Sequence, residues 1–341
     1  MKKAVCAVLA LVFAFCSACG PGGSEAELSL APPESDRLVV YTSHKQELWW
    51  PIVREFEERT GIWVDVVTGG SNELLERIAA ESDAPGADVM FGGGVDTIEV
   101  YREYLQPYTP EGMDAVPEAY RSGGGVWTPF SVLPIVLIFN TKLIDAGAVT
   151  SWSDLLKPAF RGKIAFADPA VSGSSFTALV TMLHAVGGDV DANLRAFAEN
   201  LGGLELNSSG DVLTAVADGS CWIGVTLEET ALKRVDAGDS IGLVYPDDGT
   251  SLVPDGSAVV KGAAHLENAK RFIDFTLSPE VQRLLLGQYR RPVRSDVDLT
   301  GELLPDDGAF RVLDYDIAWA SSHHNTVLMS WAFYLEREDR A

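Results

Sequence analysis

Apolar residues along the chain follow two alternating patterns, one typical of buried strands and the other of amphipathic helices. Residues 38–41 and 62–67 are short apolar runs, whereas residues 46–59 between them carry apolar side chains at helical spacing. The alternation continues through the run 87–91 and the region 164–235. Strands that alternate with helices predict an α/β protein whose sheets are mainly parallel and flanked by helices.

The first residues of the chain have the pattern of an export signal. Two lysines precede an apolar run at 4–15 that is too short to cross a bilayer as a helix, and small residues stand directly before Cys19. We therefore expect residues 1–18 to be a lipoprotein signal peptide and Cys19 to carry the lipid. Cys16 stands where leucine or valine is usual, so an ordinary secretory signal is the alternative. The stretch 19–37 is rich in Gly, Pro, Ser and Glu, which predicts a flexible tether.

Acidic residues outnumber basic ones by 49 to 26, which gives a formal net charge of −23. This charge argues against nucleic acid as a partner and against a membrane-binding surface of basic residues. It allows an anionic ligand, because surface charge is screened over about 8–10 Å while a cleft can present backbone N–H groups and helix N-termini. We therefore expect contact with the membrane through the lipid anchor only.

The sequence offers little support for a catalytic or metal site. It contains no H-E-x-x-H sequence, and its G-x-S-x-G match at 238–242 lies between a predicted helix and a predicted strand, whereas a nucleophile elbow joins a strand to a helix. We therefore expect no catalytic residues, no resident metal and no cofactor, and a protein that is not an enzyme.

Polar and glycine-rich turns follow the predicted strands. Ligands of doubly wound sheets bind beyond the carboxyl ends of the strands, so these turns are candidate ligand contacts. Glycine lets the backbone approach a ligand, serine donates hydrogen bonds, and a helix N-terminus favours an anion. The alternative is that the same residues only cap helices. The candidates from these turns are Ser43, His44, Gly70, Ser71, Gly93, Ser172, Gly173, Ser174 and Ser175.

Several segments resemble the periplasmic solute-binding proteins of ABC importers. FEERTGI at 56–62, followed by a strand, is similar to the first helix–strand unit of that family. WSDLL, GKI and DP within 152–169 look like the entry into its second lobe. DGSAVVKGA at 255–263 and AKRFIDFTLS at 269–278 look like its closing segment. The closest group contains ferric-ion-binding, phosphonate-binding and hexose-phosphate-binding members.

The resemblance implies a two-lobed, type II-like periplasmic-binding-protein fold, with a mainly parallel sheet in each lobe and the ligand between the lobes. We expect residues 38–136 to form the N-terminal part of lobe 1 and residues 137–250 to form lobe 2. Residues 251–341 are expected to return to lobe 1 and to supply C-terminal helices. The implied protein is an exported, lipid-anchored monomer of the periplasm or outer cell-envelope surface that serves ABC permease subunits. A ligand-sensing ectodomain for a signalling partner is the alternative from another class.

The ligand expected from the resemblance is a small phosphorylated organic molecule, either a sugar phosphate or a phosphonate. Residues 245–251 resemble hexose-phosphate binders most closely, which adds Thr250 to the candidates. Iron-binding members generally carry adjacent tyrosines after the strand at 221–225, where this chain has Glu228 and Glu229. Ferric iron is a hard cation suited to the phenolate oxygens of tyrosine. Because glutamates stand in place of the tyrosines here, ferric iron is the alternative ligand and not the first choice.

Four further residues are candidate contacts to ligand hydroxyls, because carboxylates and serines can fix a hydroxyl group in direction. The alternative for them is helix capping and a solvated first turn. The arginines within 290–294 are interpreted as a surface salt-bridge cluster, and the alternative is that they bring guanidinium groups to a phosphate. The four candidates are Ser209, Asp211, Glu228 and Glu229.

Overall fold

The computed structural model describes residues 32–298, 304–305 and 307–338. The predicted signal peptide, the predicted lipidation site Cys19 and most of the predicted tether lie outside the described residues. Within the described ranges, none of the helices is both long enough and apolar enough to cross a membrane.

Strands and helices alternate along most of the described chain, as the apolar pattern predicts. The strands are β1 (Arg37–Thr42), β2 (Trp63–Thr68), β3 (Val89–Gly94), β4 (Leu105–Gln106), β5 (Thr128–Asn140), β6 (Ile164–Ala167), β7 (Glu205–Leu206), β8 (Ile223–Leu227), β9 (Ile241–Val244), β10 (Leu252–Val260) and β11 (Arg291–Pro292). The α-helices are α1 (Gln46–Thr60), α2 (Ser71–Ala80), α3 (Val95–Val100), α4 (Gly173–Val186), α5 (Val190–Leu201), α6 (Ser209–Ala217), α7 (Glu228–Asp236), α8 (Leu266–Thr276), α9 (Pro279–Leu286) and α10 (Ile317–Glu338).

One long strand, β5, runs through both halves of the fold. Its sequence is almost continuously apolar, and all but one of its residues are buried, as expected for a strand covered on both faces. The first half of β5 pairs with β10, and the second half pairs with β8 and β9. The change of partner between Pro134 and Ile135 marks the crossing from lobe 1 to lobe 2.

Each lobe packs helices on its part of the sheet. Lobe 1 contains β1–β4, the first half of β5, β10 and β11, with α1–α3, α8 and α9 around them. Lobe 2 contains the second half of β5, β6–β9 and α4–α7. In lobe 1 the rings of Phe56 and Phe272 join α1 to α8 at 5.2 Å between centroids. In lobe 2 Phe166 and Phe197 join β6 to α5 at 5.1 Å.

The sheet is mixed, which corrects the expectation of mainly parallel sheets. The pairs β1–β2, β1–β3, β6–β7 and β6–β8 are parallel, whereas all pairs made by β5 and β10 are antiparallel. These two strands are the crossings between the lobes. Because one leads out of lobe 1 and the other returns to it, they run in opposite directions and place antiparallel strands in the middle of the sheet.

The last helix packs against both lobes, a detail that the expectation for 251–341, a return to lobe 1 with C-terminal helices, did not specify. In α10, Val327 and Trp331 are buried in the core of lobe 2, and the Trp331 ring lies 5.8 Å from that of Phe166. Just before α10, the Tyr315 hydroxyl donates to the Asp96 carboxylate at the beginning of α3. The C-terminal segment therefore packs across the two lobes.

The folded part also begins within the predicted tether of 19–37. Residues Glu34–Asp36 form a single 3₁₀ turn, and the side-chain amide of Asn268 in α8 donates to the carbonyls of Ser35 and Arg37, at 2.8 Å each. These backbone bonds hold residues 34–37 against lobe 1. The polar composition of this stretch gave no sign of its partner in α8.

His265 ties the beginning of α8 to β1 and β3. Its ring Nδ1 lies 2.7 Å from the buried Asp88 carboxylate, and its Nε2 lies 3.0 Å from the Glu34 carboxylate. The other Asp88 oxygen accepts the His265 backbone N–H at 2.8 Å. Burial opposes protonation of His265, but the hydrogen bonds and charges of Asp88 and Glu34 outweigh it and raise its pKa above the ordinary 6.5.

We predict that the stabilising contribution of His265 declines as the pH rises. A pKa raised in the folded state means that the contribution is full below pH 6.5 and is lost as the pH passes the folded-state pKa. The free energy of unfolding in urea is compared for wild type and His265→Gln at about pH 6 and about pH 9. The difference in free energy of unfolding between wild type and His265→Gln should be larger at the lower pH. The change His323→Gln, at an exposed histidine, should show no such dependence on pH. A difference that grows as the pH rises would contradict a raised pKa of His265 in the folded protein.

Candidate functional site

Helices of both lobes begin at the wall of one cleft of about 360 Å³. The first N–H groups of a helix have no intrahelical acceptors and carry partial positive charge. The cleft is therefore surrounded by backbone donors that suit an anionic group. The residues that precede α1, α2, α4, α6 and α7 all line it, namely Lys45, Gly70, Ser172, Ser208 and Leu227.

Most of the candidate residues from the sequence lie together on this wall. The turns after β1, β2, β3 and β6 contribute to it because the carboxyl ends of these strands face the cleft. The candidates that line the cleft are Ser43, His44, Gly70, Ser71, Gly93, Ser172, Gly173, Ser174, Ser209 and Glu229.

The turn before α4 combines helix capping with a place on the cleft wall. The Ser172 hydroxyl accepts the Ser175 backbone N–H at 3.4 Å, which is a helix cap. The same hydroxyl lies 3.1 Å from that of Ser174. Capping and ligand contact, treated as alternatives from the sequence, are therefore compatible in this turn.

Two of the candidate residues are buried and do not line the cleft. Ser175 is the third residue of α4 and does not line the cleft, because the helix turns its side chain away from the opening. Thr250 is fully buried, and its hydroxyl donates to the Ile135 carbonyl at 2.6 Å. Thr250 thus holds the return crossing against β5.

Two acidic candidates are also absent from the cleft wall. Asp211 is exposed and accepts a hydrogen bond from the Ser208 hydroxyl at 2.8 Å, so it belongs to the cap of α6. Glu228 is buried and is held by the Arg291 guanidinium at 2.8 Å and by the Tyr245 hydroxyl. Adjacent residues at a helix start point in different directions, and only Glu229 of the Glu228–Glu229 pair reaches the cleft.

The two lobes touch along one side of the cleft. Ser71 of lobe 1 accepts the Gly173 backbone N–H of lobe 2 at 3.2 Å. The Asn72 side-chain amide donates to the carbonyls of Pro169 and Ala170 at 3.2 and 2.9 Å. A side chain at Gly173 would place its Cβ 2.5 Å from the Ser71 hydroxyl oxygen, so this contact requires glycine.

A buried ion cluster forms the floor of the cleft. Arg290 donates from Nε to Glu229 of α7 and, at 2.8 Å, from Nη1 to Asp255 of β10. Its Nη1 also donates to the Ser131 hydroxyl at 2.9 Å. Glu229 receives a second cation, the Lys233 ammonium, at 2.7 Å. The cluster contradicts the expected surface position for Arg290, whose side chain is only 7% exposed.

The charges of this floor are coupled. Burial opposes ionisation of Glu229, but Arg290 and Lys233 outweigh it and lower its pKa. Burial raises the pKa of Asp255 despite the opposing effect of Arg290. Burial works against the charge of Arg290, yet Glu229 and Asp255 raise its pKa, so the guanidinium remains a cation.

His44 closes one side of the floor as a neutral ring. Burial and the charge of Arg290 hold its pKa well below the ordinary 6.5. Its Nε2 lies 3.4 Å from Asp255 and makes no hydrogen bond to the described residues. The ring packs edge-on against Phe91 at 4.5 Å. His44 lines the cleft, but its Nε2 is fully buried.

Arg290 and Asp255 line the cleft but were not among the candidates from the sequence. A signal for Asp255 was present, because an aspartate inside the apolar run 252–260 needs a buried partner. The position of Arg290 gave no such signal, since it follows α9 in a stretch of arginines. Only the pairing of β11 with β5 brings that stretch to the floor.

The described residues hold no group of three or more His, Cys, Asp or Glu side chains placed to bind a metal ion. Tyrosine is also absent from the described residues that line the cleft. The donors there are mainly hydroxyls, backbone N–H groups and the floor cluster. Such a set suits a small polar solute held between two lobes.

Comparison with known proteins defines the class. The sequence profile described as bacterial extracellular solute-binding protein matches residues 84–320. The chain belongs to this family. The fold agrees, because the periplasmic binding protein AfuA from Actinobacillus pleuropneumoniae superposes with a TM-score of 0.81 at 24% identity. That match covers 88% of this chain and 98% of the other, whose structure contains fructose-6-phosphate.

Curated relatives cover most of the chain. A probable ABC transporter periplasmic-binding protein of Sinorhizobium fredii is 29% identical over 83% of this chain and 79% of its own length. Iron uptake protein A1 of Synechocystis is 27% identical over 83% of this chain and 82% of its own. The resemblance to ABC-importer solute-binding proteins and the two-lobed fold are thereby confirmed. The protein is an exported solute-binding component that works with permease subunits.

We predict that Gly173→Ala favours separation of the lobes. The added Cβ displaces the Ser71 hydroxyl and removes one hydrogen bond, which shifts the equilibrium about 3- to 10-fold toward the open form. Small-angle X-ray scattering of the ligand-free protein measures this as a larger radius of gyration. Gly210→Ala is the matched control, because its Cβ meets nothing closer than 3.6 Å in the first turn of α6. An unchanged radius for Gly173→Ala contradicts the prediction.

Proposed function

We propose that the protein captures a small phosphorylated organic solute, such as a sugar phosphate or a phosphonate, between its lobes. One observation carries the proposal: the N-termini of α2 and α4, from opposite lobes, meet at the Ser71–Gly173 contact. Their free N–H groups and the Ser71 and Ser174 hydroxyls form a donor-rich place on the cleft wall. A phosphoryl group, with several acceptor oxygens and negative charge, is matched by such donors.

The local charge supports an anion in spite of the overall charge of −23. Lys45 lines the cleft, and its ammonium has no carboxylate partner among the described residues. The two carboxylates of the floor are already paired with Arg290. Most other acidic residues lie on the outer surface, where salt screens them over about 8–10 Å.

Ferric iron is the second candidate, because a relative is named as an iron uptake protein. The donor set favours the phosphorylated solute. Iron(III) is suited to several anionic oxygen ligands. Three carboxylates line the cleft, those of Glu47, Glu229 and Asp255, and the last two are held in ion pairs.

We propose further that the protein acts as a monomer anchored through a lipid on Cys19. The sequence supports this through the small residues before Cys19 and the Gly-, Pro- and Ser-rich stretch after it. A tether of this kind would keep the protein near the permease and leave the lobes free to open and close.

The ligand class is tested by thermal unfolding with a panel of solutes. A solute present at about a hundredfold its dissociation constant adds about 2.7 kcal/mol to the free energy of unfolding. Hexose 6-phosphates or 2-aminoethylphosphonate should raise the melting temperature, whereas unphosphorylated hexose should not. A rise with ferric citrate alone would support the iron alternative and reject the proposal.

We predict that Ser174→Asp abolishes binding of the phosphorylated solute while the protein remains folded. The new carboxylate would face the phosphoryl group at the beginning of α4, and like charges there repel each other. Ser82→Asp, at an exposed serine outside the cleft, is the matched control and should bind as wild type does. Calorimetric titration measures both, and an unchanged affinity of Ser174→Asp would remove this turn from the site.

A further inference from the structure

One nitrogen of the Arg290 guanidinium group, Nη2, can donate a hydrogen bond to a ligand. Its Nε and Nη1 donate to Glu229, Asp255 and Ser131, which fixes the plane of the group. Its Nη2 donates to no acceptor among the described residues. The side chain is only 7% exposed, and this small exposure belongs to the cleft that it lines. Nη2 is not among the fully buried side-chain atoms that lack a partner, so it keeps access to the cleft, where an acceptor of the ligand can complete its hydrogen bonding.

The charge around this donor is balanced. Arg290 and Lys233 contribute two cations, and Glu229 and Asp255 are the two carboxylates that they meet. His44 beside them is neutral because its pKa is held low. The floor therefore presents a fixed N–H donor without net positive charge, unlike the helix N-termini on the wall.

Because of this balance, the wall and the floor of the cleft suit different groups of a ligand. An anionic group gains more at the helix N-termini and Lys45, where positive charge is not neutralised. An ammonium group finds no free carboxylate at the floor, because each oxygen of Glu229 and Asp255 already accepts a hydrogen bond. A neutral oxygen, as in a hydroxyl group, can accept from Arg290 without disturbing the ion pairs.

We propose that Arg290 determines specificity by donating from Nη2 to an uncharged oxygen of the solute, a hydroxyl of a polyhydroxylated carbon chain. This inference rests on the proposed function and narrows it, because it favours sugar phosphates over aminophosphonates. The phosphoryl group lies at the beginnings of α2 and α4, and the hydroxylated end points to the floor.

The test compares two buried arginines with two probes. Arg290→Lys keeps a cation near Glu229 and Asp255 but removes the planar donor, whereas Arg291→Lys makes the same change at the ion pair with Glu228, outside the cleft. Calorimetric titration is done with fructose 6-phosphate or glucose 6-phosphate, whichever binds wild type, and with inorganic phosphate. Circular dichroism and thermal unfolding verify that each variant is folded.

The expected result is a loss for Arg290→Lys on the order of 10- to 100-fold in hexose-phosphate affinity, the range for a hydrogen bond from a charged donor. Its affinity for inorganic phosphate should stay within about twofold of wild type, as should both affinities of Arg291→Lys. Equal losses for both probes would assign Arg290 to the phosphoryl group and overturn the inference, and so would no loss. Wild type that binds neither probe would overturn the proposed function itself.

If Arg290→Lys does not fold, Glu229→Gln supplies the test. This variant leaves Arg290 in place and gives the floor a net positive charge, so inorganic phosphate should bind more tightly relative to hexose phosphate. An unchanged ratio of the two affinities would contradict the charge-balanced floor. Lys233→Gln should change the ratio in the opposite direction.

Discussion

The buried guanidinium of Arg290 is the interaction on which the cleft depends. It comes from lobe 1 and meets Glu229 of lobe 2 as well as Asp255 of its own lobe, so one cation joins both lobes behind the site. Such a cluster contributes little net stability, because its charges have lost their hydration, but removing one partner costs about 3–5 kcal/mol. Its main effect is therefore geometric. It holds the donors of the floor in place and makes the charge there neutral.

The contacts on the opposite side of the cleft have a different character. Ser71 with Gly173, and Asn72 with the carbonyls of Pro169 and Ala170, are neutral hydrogen bonds across the lobes. Each contributes only about 0.5–1.5 kcal/mol, so the lobes can separate there at modest cost. A rigid charged floor near the crossing strands and a weak neutral contact at the mouth suit a protein that opens and closes around a solute.

The alternation of apolar runs and amphipathic stretches was enough to predict the α/β fold, and the glycine- and serine-rich turns were enough to find most of the cleft wall. Both signals are local, because strand ends and helix starts are adjacent in sequence. The place of Arg290 in the cleft floor and the packing of the last helix on lobe 2 were missed because their partners are distant in sequence. Only the assembled sheet brings Arg290 to Glu229, and only the packed lobes bring Trp331 to Phe166.

The same limit applies to the candidate residues that do not line the cleft. The sequence treats Glu228 and Glu229 as one pair, but the start of α7 turns the first toward Arg291 and the second toward the cleft. The mixed sheet was likewise hidden, because strand direction depends on the route of the crossings and not on the strands' own apolar patterns. Local sequence therefore predicts which turns meet a ligand better than it predicts which charges lie beneath it.

The most direct test of the account is a crystal structure of the protein with a bound hexose 6-phosphate. We predict that phosphoryl oxygens lie about 3 Å from the Ser71 and Ser174 hydroxyls at the beginnings of α2 and α4. A sugar hydroxyl should accept from Nη2 of Arg290, with the ion pairs to Glu229 and Asp255 intact. A phosphoryl group bound to Arg290 in place of the helix N-termini, with those ion pairs broken, would contradict it.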